Sequence, residues 1–486
     1  HSADSFIDYC VSRASPSVQE VTVVASPEAI VASLGPARGV QLLRSNFFHG
    51  SQARYSFIVA RPFLTFRSSG SHCFIETSRG LSESFGNPWH LLDELMARYE
   101  LIDEMDHPFP LGGCFGFWGY DLKNFVEPKL KRRAVNDLEI PDAWVGFYSS
   151  VLVFDHHLGK TWIIATGLGE DGQRTADRTE RDVLFWQETI RSGAREQRTH
   201  VIPTVQIRSN VSPAEFIRSV HRAQEYIRVG HIYQVNLSHR LSGDWSRSGW
   251  DFFRRLKDAS PAPFSAYLHC GDFELASSSP EMFLRMSGSH IQTRPIKGTR
   301  PRDPDPTRDA QLSYELQTSP KEISELVMIT DLLRNDLGRV CEFGSVQVPD
   351  LVRLERYPHV QHLVSTVEGR LRSDTTHFHA FSSCFPGGSI TGAPKFRAME
   401  IIDELEPLSR GPYTGALGYL GFNRETQLSI IIRTALVHGG RIHFNVGAGI
   451  VADSIAAAEY DETVAKAGGF LESLHHPVPL FSAENH

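Results

Sequence analysis

The chain has 486 residues, 41% hydrophobic and 22% charged, with 49 Lys and Arg against 57 Asp and Glu for a formal charge of −8. That is more than one ordinary core holds, so two domains or one large elaborate domain is expected. The mildly acidic balance argues against binding nucleic acid or a membrane surface through a basic face, yet leaves room for a basic pocket around a small anion.

In chain order, the predicted elements begin with short strands between Gly, Pro and Ser turns, at 21–24, 54–59 and the aromatic stretch 112–120. From Gly167 to Asn210 the composition turns charged, with Gly169-Glu170-Asp171-Gly172 ahead of an Arg/Glu/Asp-rich helix, as a peripheral segment between two domains. A second region opens at Ser212-Pro213-Ala214-Glu215, a capping-box start for a helix on which Phe216, Ile217, Val220, Tyr226 and Ile227 recur until Gly230. Strands are predicted at 232–241, 264–270 and 273–277, and a helix from Ser319-Pro320 to Gly338. A meander follows at 415–422, 427–437 and 441–451, turning at Asn423 and Gly439-Gly440. The last predicted helix is capped by Asp453-Ser454 and stopped by Gly468-Gly469. Strands in runs between long helices, without regular alternation, predict an α+β fold and not a doubly wound sheet.

The six cysteines (Cys10, Cys73, Cys114, Cys270, Cys341 and Cys384) are scattered without a CxxC pair and read as reduced thiols of a cytoplasmic chain. No apolar run approaches the roughly 18 residues of a membrane span. His1-Ser2-Ala3-Asp4 opens with neither a basic nor an apolar leader region and without Met, as expected of a trimmed chain with no signal peptide.

Four constellations could carry chemistry. First, a hairpin turning at Ser287-Gly288-Ser289 brings Glu281 near Lys297. Paired Cβ atoms lie roughly 5 Å apart, and a partly buried lysine beside a carboxylate can become a nucleophile; a surface ion pair is the plainer reading. Second and third, Glu322 and Glu325 share one helix face, and Glu459 and Glu462 another, with Lys466 beyond. Two such pairs could hold Mg²⁺, which takes few protein carboxylates plus water and substrate oxygens; the alternative is solvated faces with an ordinary Glu462–Lys466 pair. Fourth, Arg433 within an apolar strand is costly unless paired, either with a substrate carboxylate or in an internal salt bridge. Beside it, Gly447-Ala448-Gly449 would let backbone N–H groups approach an anion. Residues 386–395 are not a Walker A loop, since Pro394 precedes Lys395 and Phe396 replaces the required Ser or Thr. Cys114, in Gly112-Gly113-Cys114-Phe115-Gly116, mimics a glutaminase nucleophile, but no His-x-Glu pair follows to activate it.

Pro295-Ile296-Lys297-Gly298-Thr299-Arg300-Pro301-Arg302 resembles the signature of the chorismate-utilising enzymes, in particular their aminodeoxychorismate synthase component I branch. Further matches run in order: Ser279-Pro280-Glu281, Asp331-Leu332-Leu333-Arg334-Asn335-Asp336, residues 386–395 with Arg397-Ala398-Met399-Glu400, and Gly449-Ile450-Val451-Ala452-Asp453. The resemblance is dense from about 212 to 470 and thinner at 42–45, 54–58 and 116–121. It implies an α+β fold of two large antiparallel sheets packed orthogonally with outer helices, in α/β/β/α layers. It also implies an N-terminal region 1–205, a chorismate-binding catalytic region 206–475 and a tail 476–486. Chorismate is the implied substrate and Mg²⁺ the implied cofactor, with Glu325 and Glu462 as metal ligands and Glu322 and Glu459 beside them. Gly298, Thr299, His362, Tyr413, Arg433, Gly447, Ala448, Gly449 and Lys466 match substrate-contacting positions.

Lys297 matches the lysine that aminodeoxychorismate synthases add to ring C2 before ammonia enters at C4, with Glu281 as the acid; anthranilate synthases usually carry Ala there. Isochorismate and salicylate synthases place a water-activating Lys where this chain has Gln234. The resemblance thus implies conversion of chorismate and ammonia to 4-amino-4-deoxychorismate, toward p-aminobenzoate and folate. Ammonia would come from a separate glutamine amidotransferase subunit, with no part for nucleic acid or membrane. The rivals are anthranilate synthase component I, an aminodeoxyisochorismate synthase and an inert regulatory subunit. Residues 42–45, including Ser45, and Pro263-Phe264-Ser265 match the tryptophan pocket of anthranilate synthases, with Arg44 in place of that motif's glutamate.

Overall fold

Residues 15–35, 37–45, 54–102, 107–193, 204–357 and 360–475 are described by the computed structural model; Cys10 and the 476–486 tail fall outside them. Strands with alternating faces build two twelve-stranded antiparallel sheets. The first starts at Ser17–Val21 and passes through Lys160–Ala165, Ser150–Asp155, Tyr55–Val59 and Gln41–Arg44 to Phe264–His269 and Phe273–Ser279. It finishes with Thr434–His438, Arg441–Ile450, Gln234–Asp244 and the short Arg208–Ser209, with Gly392–Ala393 pairing Gln234–Asp244 off this path. The second runs from Ile296–Pro301 and Val360–Arg370 through the Met282–Ser287/His290–Arg294 hairpin to Glu425–Ile430 and Ala416–Gly421. Gly113–Trp118, Ala143–Tyr148 and a Leu64–Ser69, His72–Thr77, Gly80–Phe85 meander continue it, and Gln347–Arg356 pairs with Val360–Arg370 off this path. The expected pair of large antiparallel sheets with helices around them is what the chain forms. Each sheet draws strands from both sides of residue 205, so the N-terminal and catalytic regions are interlocked.

Their facing surfaces share one apolar cluster. Phe57 of the first sheet meets Tyr419 of the second with ring centroids 5.1 Å apart, and Phe66, Phe115 and Phe147 are fully buried around them. Burial of each such ring is worth roughly 1.5–3 kcal/mol. Helices Pro88–Tyr99, Pro320–Gly338 and His377–Cys384 close over this cluster. Another trio, Pro213–Arg228, Lys395–Leu405 and Ala456–Lys466, packs on Val235, Leu237, Ala448 and Ile450 of the first sheet. Pro213–Arg228 has the capping box its sequence announces: the Ser212 hydroxyl accepts from the Glu215 N–H, and the Glu215 carboxylate accepts from the Ser212 N–H at 2.7 Å.

Three local expectations are corrected. The run 427–437 is two strands, Glu425–Ile430 in the second sheet and Thr434–His438 in the first, with Arg433 between them at φ 49°. Continuous apolar sequence hid the crossover because both flanking strands are buried. The strand expected at 21–24 lies earlier, at Ser17–Val21, where it pairs with Lys160–Ala165. Asp453-Ser454 is not the cap of Ala456–Lys466, which begins after Ile455; the Ser454 hydroxyl instead donates to the Glu459 carboxylate at 2.6 Å. Gly468-Gly469 opens a further helix, Gly468–Ser473. Among the described residues no helix is long and apolar enough to cross a membrane, and the five cysteines are free and buried.

Candidate active site

The Met282–Ser287/His290–Arg294 hairpin forms as expected, with Met282 opposite Arg294, so Glu281 stands at its open end near the start of Ile296–Pro301. On that strand Lys297 pairs with Leu363 and Thr299 with His362, which leaves Gly298 as the extra residue of a bulge. Gly298 holds φ +69°, and a Cβ there would meet Leu316 Cδ1 at 2.6 Å. The bulge breaks the two-face alternation, and Lys297, Gly298 and Thr299 all line one cavity of about 480 Å³.

Four other elements complete the wall. The Pro320–Gly338 helix contributes Glu322 and Glu325, and Ala456–Lys466 contributes Glu462 and Lys466. Arg433 enters from the crossover between the sheets, and Gly447 and Gly449 from Arg441–Ile450. Glu281, His362 and Tyr413 also face it. Two expected residues do not line it. Ala448 points to the opposite face of its strand, fully buried among Val235 and Leu237. Glu459 is buried behind the cavity, held by Ser454 and by Lys321 at 3.5 Å. Sequence reasoning missed Asn236, Arg300, Lys321, Ser389 and Asn445, which line the cavity too. Ser389 lies inside the matched stretch 386–395, which was a usable signal; Asn236 carried none.

The charges are arranged unevenly. Burial pushes the Glu281 carboxyl above the usual range, while a hydrogen bond from Ser389 and the charges of Lys297 and Lys466 oppose it. Lys297 Nζ lies 3.4 Å from the Ser389 carbonyl oxygen. Burial also lowers the Arg433 guanidinium's pKa, with Glu281 the opposing charge. No carboxylate among the described residues comes within salt-bridge distance of Arg433, so the internal pair that would satisfy it does not form. A half-buried guanidinium facing a cavity is a receptor for an anion. His362 is neutral near pH 7, its pKa pushed down to about 4 by burial and then by Arg433, and its Nδ1 lies 2.9 Å from the Thr299 hydroxyl.

The carboxylates of the two helices fit a hard cation in donor type. Glu325 Oε1 and Glu459 Oε2 are buried without a hydrogen-bond partner. Burial raises the Glu325 pKa, as do the neighbouring Glu322 and Glu462. Burial acts on Glu462 as well, but the charge and hydrogen bond of Lys466, at 2.7 Å, hold its carboxyl below the usual range. The Glu462–Lys466 pair of the plainer reading therefore exists, inside the cavity wall. No three His, Cys, Asp or Glu among the described residues converge at metal distance. Burial lowers the Lys321 pKa, but the charges of Glu459, Glu325, Glu462 and Glu322 raise it overall, and Lys321 pairs with Glu459 at 3.5 Å.

Elsewhere, Cys114 is fully buried, and burial raises its thiol well above the ordinary range, which disfavours the thiolate a nucleophile needs. Lys395 is tied to Asp336 and to the Cys384 carbonyl at 3.1 Å, so two of the matched motifs clamp each other, and the clamp lies outside the cavity that Ser389 of the same stretch lines. Ser45, Pro263, Phe264 and Ser265 do come together, around a separate void of about 40 Å³. Arg44 beside it pairs with Glu28 at 2.9 Å.

A family model described as chorismate binding enzyme matches residues 47–472, and the chain belongs to that family. It is 40% identical over 441 residues to the aminodeoxychorismate synthase component 1 of Klebsiella aerogenes, across 89% of this chain and 93% of that protein. It is 38% identical over 431 residues to the anthranilate synthase component 1 of Acetivibrio thermocellus, across 87% of each. Among solved structures, the anthranilate synthase component I of Streptococcus pneumoniae TIGR4 superposes with a TM-score of 0.78 at 30% identity, over 87% of this chain and 93% of that one. The protein is an enzyme that acts on chorismate.

Proposed function

We propose that this chain is the component I of an aminodeoxychorismate synthase, replacing the 4-hydroxyl of chorismate with an amino group and keeping the enolpyruvyl ether. The observation that carries this reading is the presence of Lys297 and the buried Glu281, whose carboxyl favours its proton, in one cavity. Arg433 and Lys466 supply cations for the substrate's carboxylates, and the 480 Å³ cavity suits a ligand of that size.

Glu281 gives its proton to the departing 4-hydroxyl, which leaves as water as the C4–O bond breaks. In the same step the Lys297 amine bonds to C2 through its nitrogen lone pair, and the ring double bonds shift between them. Ammonia then bonds to C4, the C2–N bond breaks with its electron pair returning to Lys297, and the Glu281 carboxylate takes the surplus proton. Glu325 and Glu462, with Glu322 beside them and Glu459 behind the cavity wall, would hold Mg²⁺, which would supply charge neutralisation for a substrate carboxylate. A separate glutamine amidotransferase subunit supplies the ammonia, in keeping with the "component 1" names of the relatives.

Intact-mass spectrometry of the protein mixed with chorismate and Mg²⁺, without ammonia, tests the route. The mass of chorismate less one water is expected on a peptide containing Lys297. Lys297→Ala should show no adduct and turn over at least about 100-fold more slowly. An adduct-free native protein and an undiminished variant rate would contradict it.

A further inference from the structure

Asn236 lies on Gln234–Asp244 with its backbone fully engaged: its N–H donates to the Thr391 carbonyl at 2.8 Å, and its carbonyl accepts from the buried Arg410 at 2.8 Å. Its side chain is only 9% exposed and lines the cavity, yet Oδ1 accepts nothing. Two residues along the same strand face, Gln234 is 1% exposed, and its Oε1 also lacks a donor. Both carboxamides lie across glycines of the facing strand that line the cavity. A Cβ on Gly447 would stand 2.7 Å from Asn236 Oδ1, and one on Gly449 would stand 2.7 Å from Gln234 Nε2. Buried carbonyl oxygens are rarely left without a donor, so Asn236 Oδ1 on the cavity wall, with Gln234 Oε1 behind it, marks where a donor arrives.

The chemistry of the donor follows from what surrounds it. A substrate carboxylate brings no donor, and the cavity already meets it with Arg433 and Lys466. Ammonia brings N–H groups and must keep its lone pair free. A carboxylate would favour ammonium, the protonated form that cannot attack, whereas an uncharged carboxamide accepts an N–H without drawing a proton onto the nitrogen. We propose that Asn236, with Gln234 behind it, is the receiving site for neutral ammonia. The inference rests on the reading that this enzyme aminates chorismate, and it holds for amination at either ring carbon.

The test is steady-state kinetics with ammonium chloride as the nitrogen source, at saturating chorismate and Mg²⁺. If the native enzyme shows no ammonium-dependent consumption of chorismate, the amination reading falls and this inference with it. If it does, Asn236→Leu, which keeps the volume and removes the acceptor, should raise the KM for ammonium about tenfold, and Gln234→Leu about threefold. The KM for chorismate should move less than twofold in both. Asn236→Asp should bind ammonium yet work best at higher pH than the native enzyme, because its charge favours the protonated form. An unmoved ammonium KM in both Leu variants overturns the proposal, as does a chorismate KM that rises in step. Circular dichroism identifies a misfolded variant, and the other two then decide.

Discussion

A methyl group on Gly447 would sit 2.7 Å from Asn236 Oδ1 and from the Tyr413 hydroxyl, and 2.9 Å from the Leu237 carbonyl oxygen. The two side chains can move, but the carbonyl belongs to a paired strand, so Gly447→Ala should shift the wall and lower kcat/KM by about 100-fold. Arg433→Gln, losing the unpaired guanidinium, should raise the KM for chorismate by at least about tenfold, the equivalent of one charged hydrogen bond; steady-state kinetics read both. At this scale the sequence was legible where a residue broke a pattern. Arg433 in an apolar run, Lys297 before a glycine and glutamates at helical spacing all stood out. Asn236 and Lys321 did not, since an amide on a strand and a lysine on a helix are unremarkable until the neighbours are known.

The two glutamate helices are the elements on which the metal reading depends. Their periodicity was readable, and Pro320–Gly338 has the predicted Ser319 cap and bounds, whereas Ala456–Lys466 starts after Ile455 and not at the expected Asp453-Ser454. Their approach to each other was not readable, because nothing in the local sequence says that helices more than a hundred residues apart will face one cavity. If Glu325 and Glu462 bind the ion, Glu462→Gln should weaken Mn²⁺ binding, measured by electron paramagnetic resonance without chorismate, by at least about tenfold. An unaltered titration would remove Glu462 from the ligand set. The crossover at Arg433 was missed for the complementary reason: hydrophobic patterning reports burial and does not say in which sheet a strand is buried.

The whole molecule carries several histidines kept neutral by burial. His156, His239, His362, His377 and His443 each have their pKa pushed down to about 4, with desolvation the leading cause. In the unfolded chain these rings titrate near 6.5, about their ordinary value. Between those limits the unfolded state binds more protons, so stability is full above about pH 6.5 and is lost as pH falls toward 4. The Tm measured from pH 7.5 downward should drop steadily through that window. His377→Gln, at a ring held by Thr426 and the Gly288 carbonyl, should make the drop shallower. Because both sheets take strands from both halves of the chain, the loss should be one cooperative transition.

That same interlocking builds the cavity around Lys297, and what leaves that cavity is the central question. Incubation of the protein with chorismate, Mg²⁺ and ammonium chloride, followed by NMR of the product, decides it. A ring bearing an amino group at C4 and an intact enolpyruvyl ether is the predicted result, with free pyruvate at background. Anthranilate with one equivalent of pyruvate would contradict it.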